Sequence, residues 1–287
     1  MITKINNNRI KEIRHSQDTC PICAASSNRQ RVVVRTREWS IHACEICTNA
    51  WTYPPPRTID YTSQNFHQAA LQKPERPVPR SIDDLPPQWR YSLLLQVHQL
   101  MRVLPPNAHV LEIGCGEGLL LEELSRHGLR VVGVEPSLTA SETARNKNLE
   151  VHTGYFPGVP IEGPFDAVVM SHVLEHVPRP VEILEAIDRI LMSGGYVLLV
   201  QTNWRGLIPR LIGRYWYAWV PEQHFWHFTP QGLIRLFYPF GWSILSIQYS
   251  SLIHLPAVQL VADLASRIPG LGDQFQILAR KYPRDQC

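Results

Sequence analysis

The stretch Val110-Leu111-Glu112-Ile113-Gly114-Cys115-Gly116-Glu117-Gly118 leaves this chain few choices of fold. An apolar run ends in glycines at alternate positions, and Leu119-Leu120-Leu121-Glu122-Glu123-Leu124 then opens a helical pattern. Glycine lets the backbone turn sharply and lie close against a ligand where a Cβ would collide. Strand, glycine loop and helix in that order predict a ligand cradle at the carboxyl end of a parallel strand.

The carboxylates narrow what the cradle holds. A pyrophosphate seeks bare backbone N–H groups at a helix start, and Glu112 and Glu117 would repel it. A sulfonium cofactor with an ammonium group and no phosphate suits them. Arg130-Val131-Val132-Gly133-Val134-Glu135-Pro136 is a second apolar run, ending in an acid nineteen residues beyond Gly116. An acid there can accept hydrogen bonds from ribose hydroxyls. Phe165-Asp166-Ala167-Val168-Val169-Met170 and Met192-Ser193-Gly194-Gly195-Tyr196-Val197-Leu198 follow in order. Taken together, these motifs from about 110 to 203 resemble those of class I S-adenosylmethionine (SAM)-dependent methyltransferases. The resemblance implies a doubly wound, mostly parallel, seven-stranded Rossmann-like α/β sheet. It implies that Glu112 faces the methionine ammonium, that Gly114, Cys115, Gly116 and Gly118 cradle the methionine part, and that Glu135 holds the ribose. Pro136 and Ser171 complete the expected cofactor set.

At 287 residues the chain has room for one large domain and a small module. Its apolar fraction of 44% and charged fraction of 18% are those of a soluble globular protein. A net charge of +3 is too small for an extended nucleic-acid surface. No apolar run approaches the roughly 20 residues of a membrane span, and the start lacks the apolar core of a signal peptide. The expected location is the cytoplasm. Cys20-Pro21-Ile22-Cys23 and, twenty residues on, Cys44-Glu45-Ile46-Cys47 have the spacing of a four-thiolate zinc ribbon. Arg31–Arg35 and Trp39–His42 read as the strands between the pairs. Two disulfides are the alternative use of these cysteines, and His15 and His42 are imidazoles able to replace a thiolate.

The chain divides into a ribbon module with a polar tail (1–52), a proline-rich linker or lid (53–87) and a methyltransferase domain (88–287). The linker carries Pro54-Pro55-Pro56, Pro74, Pro77, Pro79, Pro86 and Pro87, a density that favours extended backbone. A short helix over 61–71 fits within it, and Tyr53, Tyr61 and Phe66 are candidates to touch substrate. A helix is expected over 88–104, strands near 109–113, 130–134, 149–153, 165–170 and 195–201, and helices near 117–127, 137–147 and 180–191. Beyond 228 the pattern predicts a helix (230–238), a strand (243–249), a helix (257–268) and a closing antiparallel strand (274–281).

Methyl transfer from a sulfonium needs an aligned acceptor, excluded water and, for a protonated acceptor, a base. Ser171-His172-Val173-Leu174-Glu175-His176-Val177 follows the fourth strand of the sheet, so His172 and His176 stand at the mouth of the cofactor site. Each has the pKa range of a base, though His172 can instead meet the cofactor through its backbone. Pro221-Glu222-Gln223-His224-Phe225-Trp226-His227-Phe228-Thr229-Pro230 is similar to a tract in zinc-ribbon methyltransferases of small molecules, including nucleotide-sugar C-methyltransferases. That comparison places His224 at the position of a base and Thr229 at a helix N-cap, with His227 as packing. The chain lacks the large C-terminal domain of those enzymes, so a nucleotide-sugar acceptor is not implied. The aromatic segment 204–228 (Trp204, Tyr215, Trp216, Tyr217, Trp219) is expected to overhang the acceptor, favouring a flat or apolar one. Its arginines also suit peripheral membrane contact. Oxygen, nitrogen and carbon acceptors remain open, as do a zinc-ribbon RNA methyltransferase and a non-catalytic SAM-binding regulator.

Overall fold

A computed structural model describes residues 19–57, 79–252, 261 and 264–282. The helix expected over 61–71 lies outside them, with Tyr61, Phe66, His15 and half of the expected helix 257–268.

The central sheet follows from strands buried on both faces. β4 (His109–Ile113), β5 (Arg130–Glu135), β6 (Glu150–Thr153), β7 (Phe165–Ser171) and β8 (Leu191–Thr202) are parallel, while β10 (Trp242–Ser250) and β11 (Gln274–Lys281) close one edge. The strand order is β10-β11-β8-β7-β4-β5-β6, with β11 antiparallel to both β8 and β10. Successive side chains of a strand point to opposite faces. Leu111 and Ile113 of β4 and Val168 and Met170 of β7 therefore join one core. Val110, Ala167 and Val169 join the other. On the first face α4 (Pro180–Ile190) lays down Ile183, Leu184 and Ile187. On the second, α1 (Pro87–Met101) and α2 (Leu119–Arg126) contribute Leu93, Val97, Leu100, Leu120 and Leu124. α3 (Leu138–Arg145), N-capped by the Ser137 side chain, packs Ala144 against Leu121 and Val151.

The chain runs β4-β5-β6 outward and then crosses back to place β7 on the other side of β4. Such a reversal opens a crevice at the carboxyl ends of the two central strands, where ligands of open α/β sheets bind. Gly114 and His172, the residues just past β4 and β7, flank that crevice.

A second sheet joins the N-terminal ribbon to the domain. β1 (Gln30–Arg35), β2 (Ser40–Cys44) and β3 (Ala50–Tyr53) form an antiparallel meander, and β9 (Trp226–His227) adds a fourth strand to its edge. Ala50 pairs with His227 and Trp51 with Trp226. Side chains reinforce the joint: Thr52 Oγ1 donates to the His224 carbonyl at 2.7 Å and lies 3.1 Å from His227 Nε2. Asn49 Nδ2 donates to the Gly232 carbonyl at 3.1 Å, in the first turn of α5 (Pro230–Phe237). That helix is N-capped by Thr229, whose hydroxyl accepts from the Gly232 N–H at 3.0 Å.

The tryptophans of the 204–228 segment face this ribbon. Trp204, Trp216, Ala218 and Trp219 pack with Val34, Ile41, Ala43 and Ala50 in one buried cluster, where an acceptor pocket was expected. The reason is area: a three-stranded ribbon cannot bury its own apolar face, and these indoles cover it. Of the aromatics named above, Tyr215 is largely exposed, and the Tyr217 hydroxyl donates to Asp273 at 2.9 Å.

Gly232 sits where this joint is tightest, because a Cβ there would collide with the buried Asn49 side chain. Gly232→Ala should therefore lower unfolding stability by about 1–3 kcal/mol. Adding Asn49→Ala should recover part of the loss, as a chemical-denaturation double-mutant cycle will read.

Candidate active site

The glycine loop has the geometry of a cradle. Gly114, Gly116 and Gly118 adopt φ of +74°, +53° and +75°, the left-handed region that disfavours other residues. A Cβ on Gly114 would strike Val173, and one on Gly118 would reach Leu149 at 2.6 Å, whereas one on Gly116 would meet open space. The loop is thus pinned at both ends and open at its middle. Glu135 ties it to β5, its carboxylate accepting the Gly116 N–H at 2.9 Å and the Ser137 N–H at 2.8 Å. Pro136, between these two partners, is half-buried. Cys115 is buried against Gly133, and burial first, then Glu112, pushes its thiol well up, so it packs rather than reacts.

Glu112 is buried, and its Oε2 has no hydrogen-bond partner. Burial, and then repulsion from Glu135, raise its carboxyl well above the usual carboxylate range. An enclosed acceptor without a donor fits a cationic ligand, which is what the ammonium of SAM offers.

Across the crevice, Ser171 ends β7 half-buried and His172 follows with φ of +55°, unusual for a residue with a Cβ. The His172 N–H is given to the Val200 carbonyl at 3.0 Å, so the backbone donor expected to meet the cofactor is engaged by β8. Its Nε2 lies 2.9 Å from Gln274 Nε2, an amide donor, which places the ring proton on Nδ1, 3.4 Å from Glu175 Oε1. The Trp89 ring of α1 lies tilted against the same imidazole, centroids 5.7 Å apart.

Two backbone links then bring a distant tract to this loop. The Phe225 N–H donates to the Glu175 carbonyl at 2.8 Å, and the Trp226 indole donates to the Val177 carbonyl at 2.8 Å. They set His224 against His176, ring centroids 4.6 Å apart and edge to face. His224 Nδ1 is bonded to the Ala218 carbonyl at 3.1 Å, leaving Nε2 as its acceptor nitrogen. Burial, then the neighbouring His176, push His224 down to about 3. His176 is lowered by burial and partly restored by Glu175. For Glu175, burial opposes the anion, but the His172 hydrogen bond and the surrounding imidazoles together hold its carboxyl below the ordinary range. The structure thus brings together all three histidines singled out from sequence, around a carboxylate that sequence reasoning passed over as scaffold. The signal was present: an acid with histidines three residues before and one after it. Trp89 and Gln274 lie too far along the chain for any local pattern to have joined them to His172.

The four cysteines of the ribbon converge as their spacing predicts. Cys20 Sγ is 3.6 Å from Cys47 Sγ, Cys23 Sγ is 3.6 Å from Cys44 Sγ, and all four sulfurs lie within 4.8 Å of one another. Zinc–sulfur bonds of about 2.3 Å in a tetrahedron give sulfur separations of roughly 3.8 Å, so the donor set fits. All four are free thiols. His42 is turned to Ser40, 2.9 Å from its hydroxyl, and stays out of the cluster.

A family model described as a methyltransferase domain matches residues 88–247, more than half of the chain. The chain belongs to the SAM-dependent methyltransferases. Among curated relatives of this methyltransferase is a ubiquinone biosynthesis O-methyltransferase of Xanthomonas campestris pv. campestris. It is 36% identical over 153 residues, covering 50% of this chain and 64% of that protein. A protein of the same name from Caulobacter sp. is 36% identical over 131 residues, covering 41% and 51%. The methyltransferase therefore spans less than two thirds of the relatives it matches. Among solved structures, a SAM-dependent methyltransferase of Thermotoga maritima, titled a possible histamine N-methyltransferase, superposes with a TM-score of 0.52. It is 22% identical and covers 67% of this chain and 90% of its own. Magnesium protoporphyrin IX methyltransferase from Synechocystis, solved with bound S-adenosylhomocysteine, gives a TM-score of 0.51 at 15% identity, covering 67% and 82%. These similarities establish the fold. Among the described residues no helix is long and apolar enough to cross a membrane.

Proposed function

We propose that this methyltransferase moves the methyl group of SAM onto a small organic acceptor, with a hydroxyl oxygen as the favoured nucleophile. One observation carries the reading: the cluster of His172, Glu175, His176 and His224 lies on the carboxyl-end side of β7, where Val173 packs against Gly114 of the cradle. Polar groups able to hold a hydroxyl and receive its proton thus stand beside the cofactor loop. SAM supplies the methyl group and its own leaving group. Glu112 would take the ammonium, the Gly114–Gly118 loop the methionine part, and Glu135, with Pro136 and Ser171 beside it, the ribose side. His224 Nε2 would accept a hydrogen bond from the acceptor. A histidine held near 3 takes a proton poorly alone, so the base expected from sequence becomes the cluster as a unit. The names of the curated relatives support oxygen over nitrogen and carbon, and support a small molecule over RNA. The four converging cysteines support a structural zinc ion.

The test is transfer of labelled methyl from SAM to a panel of small hydroxylated aromatic and aliphatic compounds. Label should appear on free hydroxyls and vanish when those hydroxyls are pre-blocked as methyl ethers. Equal labelling of blocked compounds, or labelling of RNA alone, would overturn the reading.

Glu112 gives this reading a pH signature. Its carboxyl is raised in the free protein, and a neighbouring ammonium would pull it down again. Below the raised value, cofactor binding must then drive a proton off Glu112, so affinity should strengthen as pH rises until Glu112 ionises unaided. Calorimetry in buffers of different ionisation enthalpy should show that proton. Glu112→Gln should abolish it and weaken binding by about 10–100-fold.

A further inference from the structure

The geometry points to a second metal site in this protein: Glu175, His176 and His224 together hold a divalent first-row transition cation beside the cofactor crevice. One ligating atom from each of the three lies within 4.8 Å of the other two. A cation at about 2.0–2.2 Å from each donor, with the three on adjacent coordination positions, requires separations of roughly 3–3.7 Å, so the donors close on it by at most about an ångström. Two imidazoles and one carboxylate form a set common in metalloenzymes, and they leave other coordination positions open.

The second observation is the carboxylate itself. Glu175 is 2% exposed, and its Oε2 is buried without a hydrogen-bond partner. Its other oxygen already faces His172 Nδ1 at 3.4 Å. A buried carboxylate with one bare oxygen and two imidazoles beside it is an incomplete arrangement that a cation completes. The third observation is how the rings are oriented. Imidazoles that bind metals usually donate their remote N–H to a carbonyl, which fixes the tautomer and aims the other nitrogen. His224 Nδ1 is held in that way by the Ala218 carbonyl at 3.1 Å. His176 is likewise hydrogen-bonded to the Gln223 backbone. His176 is half-buried rather than enclosed, which gives a cation a way in. The site is separate from the ribbon, whose four ligands are all sulfur.

For what the cation does, the inference rests on the methyl-transfer reading; for whether it binds, it does not. With the cation bound, His224 Nε2 is its ligand in place of the acceptor's hydrogen-bond partner, and an acceptor hydroxyl entering an open position would lose its proton to solvent more readily, leaving an oxygen lone pair for the methyl group. No oxidant or reductant is required.

Mn2+ is the probe, because a hard cation disfavours the four-thiolate ribbon, which keeps its own metal. Titration of the full chain, followed by the electron paramagnetic resonance of free Mn2+, should show one bound ion per chain. Glu175→Gln and His224→Ala should each weaken it by more than about 30-fold, given the loss of one ligand of three. Pulsed resonance on the wild-type protein should show nitrogen coupling from the two imidazoles, a readout that needs no variant to fold. Failure of the wild-type protein to bind Mn2+, unchanged binding in both variants, or bound Mn2+ without nitrogen coupling would each overturn the site. Methyl transfer by protein that binds no second metal would leave the function standing and remove this inference. Mn2+ bound at the named ligands with no transfer to any acceptor would do the reverse.

Discussion

Cys20→Ser should release the ribbon's metal and abolish turnover, while SAM affinity stays within about threefold because the glycine loop is remote from the change. Binding of a structural zinc ion contributes roughly 10–16 kcal/mol to small modules of this kind, and a serine oxygen replaces a thiolate poorly. The loss will not stay in the ribbon. Thr52 holds the His224 carbonyl, Thr48 Oγ1 lies 2.7 Å from Thr229 Oγ1, and Asn49 grips Gly232. Without an ordered β3, the segment from His224 to Thr229 loses its second wall and His224 its place beside Glu175. Metal analysis after dialysis, calorimetric SAM binding and hydrogen exchange across 224–229 will check the three parts of this expectation. Retained metal, or unchanged exchange in that segment, would contradict it.

His224→Ala should lower kcat by about 10²–10⁴, the range for groups that handle a proton in the transition state. SAM affinity should hardly move, since the cradle is held by Glu135 through the Gly116 N–H while His224 is held by the Ala218 carbonyl. The split matters, because a general loss of folding would carry cofactor binding down with it. His224→Gln, which keeps a polar group of similar reach, should recover part of the rate. The comparison to make is kcat against the SAM dissociation constant for both variants and wild type. Wild-type rates in His224→Ala would reduce the residue to a wall of the loop.

The parallel sheet was legible in the sequence because each central strand is buried on both faces and so reads as an unbroken apolar run. The cradle was legible because the left-handed backbone at Gly114, Gly116 and Gly118 strongly favours glycine. Thr229 announced its helix through hydroxyl and proline, as the bond to the Gly232 N–H bears out. Three things stayed hidden. The strand β9 is two residues long, too short for any periodicity, and its partner lies far back in the chain. Trp204, Trp216 and Trp219 have the same composition whether they line a pocket or cover a ribbon, and only the fold shows the ribbon beside them. The contact of Glu175 with His224 is the third: His172 and His176 flank Glu175 locally, but no local pattern reaches His224.

The short strand Trp226–His227 also bears on how the protein is made. Thr52 and His227, bonded in the finished molecule, are 175 residues apart. At ribosomal rates of about 5–20 residues per second, the outer edge of β3 waits roughly ten to thirty-five seconds for its neighbour to be synthesised. For that interval the nascent ribbon presents an open row of backbone donors and acceptors, together with the apolar surface that Trp216 and Trp219 will cover. Metal capture by the four thiols can precede this moment, but the finished four-stranded sheet cannot. The ribbon emerges before the methyltransferase domain and is among the last parts of the fold to be completed.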